Sequence, residues 1–541
     1  MSRLRVLVPI FALSFLVIFA VPAPAVDEPT FPESHKDFLG GASYRALFGL
    51  NASAVQAGPH SSDTGTGRPP RVGPNIQVND PQTPFPGGLL GRSETSIAAA
   101  SNGKYLVSGW NDADGFCGPP FGAPCPSPVP AGLSGYGWSA DGGQTWTDGG
   151  APFLVGGTAV TRGDPSLDVG GRGNTTFYYA NLAVDVGGIG PDGMTVHSGS
   201  FKGNTFNWNN GVFIAPANGQ NDFLDKELLA ADKRGGSDDV HVSVTNFIEV
   251  GGIPQFGFGQ IEVYTSNDGA ASFGGASIVQ PDETSSVPLN EGIVNQGSMP
   301  AVGPEGNIYV TWERGWLFPF TGSTQTPQIV VSTSTDGGAT WGARTLVSDI
   351  CSSALFPPAG YNRGTTNDFP RIAVANTGPD RGRVYVAYQD CRIANGGDQA
   401  TTGGLGDQDT DIYVAYSDDA GATWTNQLVD GGPNIQFWPT ISIQPGGNVD
   451  VTYYEQTAGT PLVDVSWAQS IDGGASWENP VTITEVQTNW ATTATNISPN
   501  FGDYNTAVST DDRVYATWAD GRNGVPDVFF SKIQTIGKAP R

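Results

Sequence analysis

The chain has 541 residues, of which 75 are Gly and 41 Pro, while only 14% are charged. This excludes a coiled coil or long-helix protein, and 13 Trp, 27 Phe and 16 Tyr supply enough apolar surface to exclude a disordered chain. Asp and Glu outnumber Lys and Arg 52 to 26, with no basic cluster, so nucleic acid is not an expected partner.

Arg3 and Arg5, the apolar run Val6 to Val21 and the small residues Ala23-Pro24-Ala25 read as a cleaved export signal over residues 1–25. A secreted or extracytoplasmic protein with no membrane span after cleavage is therefore expected. Residues 26–73 read as a linker or pro-segment, dense in Gly, Pro, Ser and Thr from Gly58 onward. The four cysteines fit an oxidising compartment. Cys117 and Cys125 bracket a Gly/Pro-rich loop and are expected to pair, which leaves Cys351 with Cys391.

Residues 74–541 repeat. Five segments share a Ser-x-Asp-x-Gly-x-Thr-Trp pattern: Ser139 to Trp146, Ser266 to Phe273, Ser334 to Trp341, Ser417 to Trp424 and Ser470 to Trp477. Their Asp141, Asp268, Asp336, Asp419 and Asp472 suit tight turns, because a carboxylate accepts hydrogen bonds from its own loop. The aromatic that ends each segment is expected to fold back as a buried plug. Strand-like runs flank each turn, as in Ile308 to Trp312 and Asp411 to Tyr416. Four short antiparallel strands per unit predict an all-β propeller. Seven units begin near Ser93, Asp164, Lys226, Ser298, Phe369, Trp438 and Tyr504. The second unit lacks the Asp of the turn. The seventh has no fourth strand, and the run at Asn75 to Val78 is expected to close it.

The repeated turns resemble the Asp-box, or bacterial neuraminidase repeat, of the sialidase superfamily, over nearly all of residues 74–535. The catalytic propellers of that family have six blades, which keeps six as the alternative to seven. The resemblance implies a secreted propeller for extracellular glycan recognition, acting on carbohydrate or glycoprotein as a monomer. If it is an enzyme, an exo-acting glycoside hydrolase is implied. The alternative is a non-catalytic surface or adhesion propeller that binds protein partners.

Such hydrolases use a Tyr nucleophile, a Glu that activates it and an Asp acid/base. Tyr504 opens the last unit, where that nucleophile stands, while Asp112 and Glu291 match the acid and the base by loop position. The family's Arg-Ile-Pro motif is absent: Glu94-Thr95-Ser96 stands there, with Arg92 two residues earlier. The starts of the units carry further charge in Arg92, Glu94, Asp164, Asp225, Asp368, Arg371 and Asp503, the candidate binding residues. Acids converging from several blades would form an acidic pore mouth suited to a hard cation such as Ca²⁺, although the reading requires no cofactor. Each acid could equally cap its own loop. Trp-Ala-Asp-Gly-Arg at Trp518 to Arg522 and its relative at Tyr388 to Arg392 read as loop braces. Trp316, Phe318, Phe320, Tyr361, Phe437 and Trp438 are candidates for stacking on sugar rings, with packing between blades the alternative for each.

Overall fold

The computed structural model describes residues 70–82, 90–115, 132–153, 155, 159–171, 173–185, 192–216, 222–248, 259–284, 292–315, 326–391, 409–495 and 497–535. The strands form seven antiparallel blades. Their innermost strands are Arg92–Ala99, Ala159–Gly170, Asp222–Ala231, Asn295–Val302, Arg371–Val374, Ile435–Ile443 and Thr506–Ser509. Each touches the next, and the seventh touches the first, so the ring is complete. A parallel bridge between Phe223 and Asp192 joins blades two and three. In blade seven, Arg71–Val72 and Ile76–Gln77 hydrogen-bond to the strand Asp527–Gln534.

Blade cores are built from alternating apolar residues that pack against the neighbouring blade. Trp110, Trp312, Trp467 and Trp518 are fully buried. Each indole N–H finds a side-chain oxygen, on Asp112, Asn295, Asp450 and Asp520 respectively, which removes the cost of burying an unpaired donor. Asp112 and Asp520 thus play one part in blades one and seven.

The five Ser-x-Asp turns share one geometry. The Ser hydroxyl donates to the Asp Oδ1 at 2.8 Å in every copy. That hydroxyl accepts from the backbone N–H four residues on. The Asp Oδ2 accepts the hydroxyl of the following Thr or Ser at 2.5–2.6 Å. These bonds hold the carboxylates of Asp268, Asp336 and Asp419 down at about 2. In blade two a two-residue turn at Gly203 and Asn204 joins the outer strands Asp192–Lys202 and Thr205–Ile214 instead.

The aromatic plugs are half-buried rather than fully buried. Each reaches back to the preceding blade. Trp146 of blade one packs edge-on against Phe530 of blade seven, at 5.1 Å between ring centres. Trp341 of blade four donates to Ser277 of blade three at 2.7 Å. The plug is therefore a seam between blades as well as a cap on its own turn. Asp472→Ala is expected to lower the calorimetric melting midpoint by about 1–3 °C, because the donors it serves are partly solvated. An unchanged midpoint accompanied by lost ligand binding would assign the turn a functional part instead.

Candidate functional site

Five innermost strands carry a β-bulge at the same place. The ladder skips two residues between Ser93 and Ser96, Gly163 and Ser166, Asp225 and Leu228, Gln296 and Met299, and Phe437 and Thr440. The first skipped residue is left-handed in each: Glu94, Asp164, Lys226, Gly297 and Trp438, with φ between 49° and 69°. In blades five and seven the ladder begins only after this point, at Arg371 and Thr506. Phe369 and Tyr504 occupy the matching places. The bulge aims one side chain per blade away from its own ladder, a common device beside functional sites.

These side chains interlock. The Lys226 ammonium lies 2.7 Å from Asp164 Oδ2, 3.1 Å from Asp503 Oδ2 and 3.4 Å from Glu94 Oε1. It therefore joins blades one, two, three and seven. Burial opposes its charge, but these carboxylates outweigh burial and hold its pKa well above the ordinary lysine value. Asp503 also receives the Arg363 guanidinium, the Tyr361 hydroxyl and the Asn367 amide. Burial would raise Asp503, but Arg363 and Lys226 hold it well below the usual carboxylate range. The Arg371 guanidinium stands 5.2 Å from the centre of the Tyr504 ring; burial lowers its pKa to about 10.

Glu94 behaves differently. Burial and the adjacent Asp164 charge push its carboxyl well above the ordinary value, and its hydrogen bond to Asp164 acts in the same direction. The hydrogen bond favours a protonated Glu94 donating to Asp164. Asn111 fixes the pair, donating to Glu94 Oε2 at 3.0 Å and accepting from the Asp164 N–H at 2.7 Å. Asp225 accepts from Gln296 at 2.7 Å and is pushed up to about 6 by burial. Glu227 is fully buried with no hydrogen-bond partner on either carboxyl oxygen among the described residues. Burial, then Asp164, raises it strongly.

Glu94, Asp164, Asp225, Arg371, Asp503 and Tyr504 thus lie in one axial cluster. The other sequence candidates do not join it. Arg92 is paired with Asp114 at 2.6 Å, Asp527 at 3.2 Å and Asp112 at 3.4 Å. Asp112 is accordingly a brace for Arg92 and Trp110, not an acid at the axis. Asp368 caps its own connection, accepting from Ser352, Ser353 and Gln389. Glu291 lies outside the described residues, as do Cys117, Cys125, Trp316, Phe318 and Phe320.

Tyr504 stands at the axis, but its hydroxyl donates to the Pro165 carbonyl at 3.1 Å. Burial and the charges of Glu94, Asp164 and Glu227 push its phenol well above the ordinary value. A nucleophilic phenol needs the opposite environment. Tyr361, Phe437 and Trp438 pack with Tyr454, Trp490 and Phe501 in a buried core and offer no face to a sugar. The acids of the pore mouth converge on the Lys226 ammonium, which takes the place a cation would fill, so this donor set does not fit Ca²⁺.

Lys226, Glu227 and Arg363 complete the site beyond the sequence candidates, and Tyr361, a candidate for sugar stacking, joins it through its hydroxyl instead. Lys226 and Glu227 were findable, because they align with Glu94-Thr95 and Asp164-Pro165 across the repeat. Arg363 comes from the connection between blades four and five, 140 residues from Asp503 in sequence.

A separate acid lies at the end of blade five. Asp411 is buried, faces Asp390 across the ladder and has an Oδ2 without a hydrogen-bond partner among the described residues. Burial, then Asp409, Asp430 and Asp390, pushes it up to about 8. The folded chain therefore keeps a proton that the unfolded chain releases near pH 4, and stability falls as pH rises from about 4 to about 8. Asp411→Asn is expected to be more stable than the parent by about 1–2 kcal/mol at pH 8, with no gain at pH 4. Urea midpoints at both values test this; an equal difference at the two would refute the titration.

No protein-family model and no curated protein matches the chain. Solved structures that are similar include an α-L-arabinofuranosidase of Fusarium graminearum with arabinobiose, at 12% identity and TM-score 0.44, covering 86% of this chain and 98% of that one. A Penicillium chrysogenum α-L-arabinanase complexed with arabinobiose is 13% identical, with TM-score 0.42 and the same coverage, 86% and 98%. A Trypanosoma rangeli sialidase in complex with an inhibitor is 12% identical, with TM-score 0.39, covering 72% of this chain and 56% of that one. At these identities no side-chain role passes to this chain. Among the described residues no helix is long and apolar enough to cross a membrane.

Proposed function

We propose that the chain is a secreted, sialidase-like Asp-box propeller directed at extracellular glycans, and that it cleaves a terminal sugar as an exo-acting glycoside hydrolase. The observation that carries this reading is the Glu94–Asp164 pair. It sets two carboxyls in hydrogen-bond contact at the axis, where burial and the Asp164 charge push Glu94 well above the ordinary carboxyl value, beside Asp503 and the cations Lys226, Arg363 and Arg371. A carboxyl that holds its proton more tightly than usual, next to fixed charge, is what a general acid for glycosidic-bond cleavage needs. Glu94 is the proton donor in this reading, Asp164 its acceptor, and Tyr504 a positioning residue.

The test is Glu94→Gln, which keeps the shape and a donor toward Asp164 but removes the transferable proton. On a panel of neutral and sialylated aryl glycosides, kcat is expected to drop about 10²–10⁴-fold. Tyr504→Phe is expected to keep more than a tenth of the parent rate. Equal turnover by Glu94→Gln and the parent overturns the assignment. The second reading, an adhesion propeller that binds protein partners, is favoured by the closure of the axis: Glu94, Lys226 and Tyr504 are 1%, 5% and 2% exposed. Absence of turnover on every glycoside by the parent selects it.

A further inference from the structure

On the face opposite the axial cluster, a groove of about 490 Å³ opens between blades seven, one and two. It lies within the size range of small-ligand clefts. Its walls carry Lys104, Arg513 and Lys532, with the amides of Gln144 and Asn204. Three cations around one cleft are unusual in a chain of net charge −26.

Two of those cations meet only neutral groups among the described residues, Lys104 lying over the Tyr105 ring at 4.8 Å as well. Lys104 Nζ is 3.3 Å from both the Tyr105 hydroxyl and Asn204 Oδ1. Lys532 Nζ donates to the Gly142 carbonyl at 3.0 Å. Neither forms an ion pair among the described residues. Lys226 and Lys233, in contrast, are matched by carboxylates. Lys202 stands in the hairpin that delivers Asn204.

At other turns on this face the cations face acids: Arg383 with Asp418 at 2.7 Å, Arg381 with Glu305 at 2.6 Å and Arg234 with Asp232 at 2.6 Å. Arg513 has Asp512 beside it at 3.2 Å, and that pair is part-exposed. The one carboxylate among the described lining residues, Asp141, already accepts from Ser139, Gln144 and Thr145. An ammonium has three donors, so Lys532 in particular keeps donors for a ligand.

We propose that this groove binds a small saccharide bearing an oxyanion, either a uronate carboxylate or a sulfate ester. The cations take the oxyanion, and Gln144 and Asn204 take ring hydroxyls. The saccharide half of the assignment rests on the glycan reading above; the oxyanion half does not.

Titration calorimetry on the full chain tests it with four probes: a glucuronate-containing disaccharide, a monosulfated neutral disaccharide, its unsulfated parent and inorganic sulfate. At least one anionic disaccharide is expected to bind, and which one does identifies the source of the oxyanion. The unsulfated parent is expected not to bind. Lys104→Gln/Lys532→Gln is expected to weaken binding at least 10-fold, and raising salt from 0.05 to 0.5 M to weaken it further. Glu94→Gln should bind like the parent chain, which separates this groove from the axial site. Binding unchanged in the double lysine variant, equal binding of the unsulfated parent, or no binding by any probe overturns the site. Inorganic sulfate binding as tightly as both disaccharides overturns the saccharide half.

Discussion

Lys226→Met is expected to cost about 3–5 kcal/mol of folding stability at pH 7, the range for removing one partner from a buried ionic cluster. The reason is geometric. The ammonium is buried and serves Asp164, Asp503 and Glu94, carried by three other blades. Its removal leaves Asp164 and Asp503 facing each other, with Arg363, already engaged with Asp503, and the more distant Arg371 to compensate. The sign of the pH dependence follows. Asp503 is held below its unfolded value, so its contribution is present above about pH 4 and lost as pH falls through the folded value. Lys226→Met removes part of that contribution. The gap between parent and variant should therefore hold from pH 7 down to about pH 4 and narrow as pH falls further. Denaturant unfolding at pH 7, 4.5 and 2.5 measures both quantities; a gap that widens in acid would refute the ionic account.

Replacing both Cys351 and Cys391 by Ser is expected to cost about 2–4 kcal/mol, from the entropy regained by an unfolded chain no longer closed across 40 residues. The expected damage is also local. The Cys351–Cys391 bridge ties the connection between blades four and five to the end of the strand Val384–Asp390. That connection delivers Tyr361, Arg363 and Asn367 to Asp503. The variant should thus lose stability and, in what remains folded, lose order at Asp503. Guanidinium unfolding and hydrogen exchange of the 352–370 segment check the two parts. Full stability under reducing conditions would contradict the first.

The fold was legible because it is repetitive. Strand runs and Ser-x-Asp turns recur at a spacing that only a ring of similar blades accommodates, and the seven units were countable. The axis was partly legible for the same reason: Glu94, Asp164 and Tyr504 occupy one place in successive units. Asp112 was misread, although Trp110-Asn111-Asp112 and Trp518-Ala519-Asp520 carry the same indole-to-carboxylate bond; the repeat itself argued for a brace. The partners that set the chemistry were harder to see. Lys226 reverses the charge of an apparent acidic ring from a single position, and Arg363 arrives from the connection between blades four and five and not from an innermost strand. Burial decided the aromatics: Trp438 and Tyr361, open in sequence to sugar stacking or to packing between blades, lie in the core.

The axial positions amount to seven sockets with seven different occupants, Glu94, Asp164, Lys226, Gly297, Phe369, Trp438 and Tyr504, and all but Phe369 and Tyr504 share one left-handed bulge. The ladder resumes after each socket whatever side chain fills it, so an exchange there leaves the blade's own strands intact. A non-glycine occupant in the left-handed region carries roughly 1–2 kcal/mol of strain. What an exchange does change is the match across the axis. Gly297 shows the coupling in reverse: a side chain there would collide with the ring of Phe369 in the next blade, at 2.2 Å. Divergence of such a chain should therefore proceed by correlated exchanges between sockets, with the outer strands as bystanders. New axial chemistry can arise from a few substitutions without a new fold.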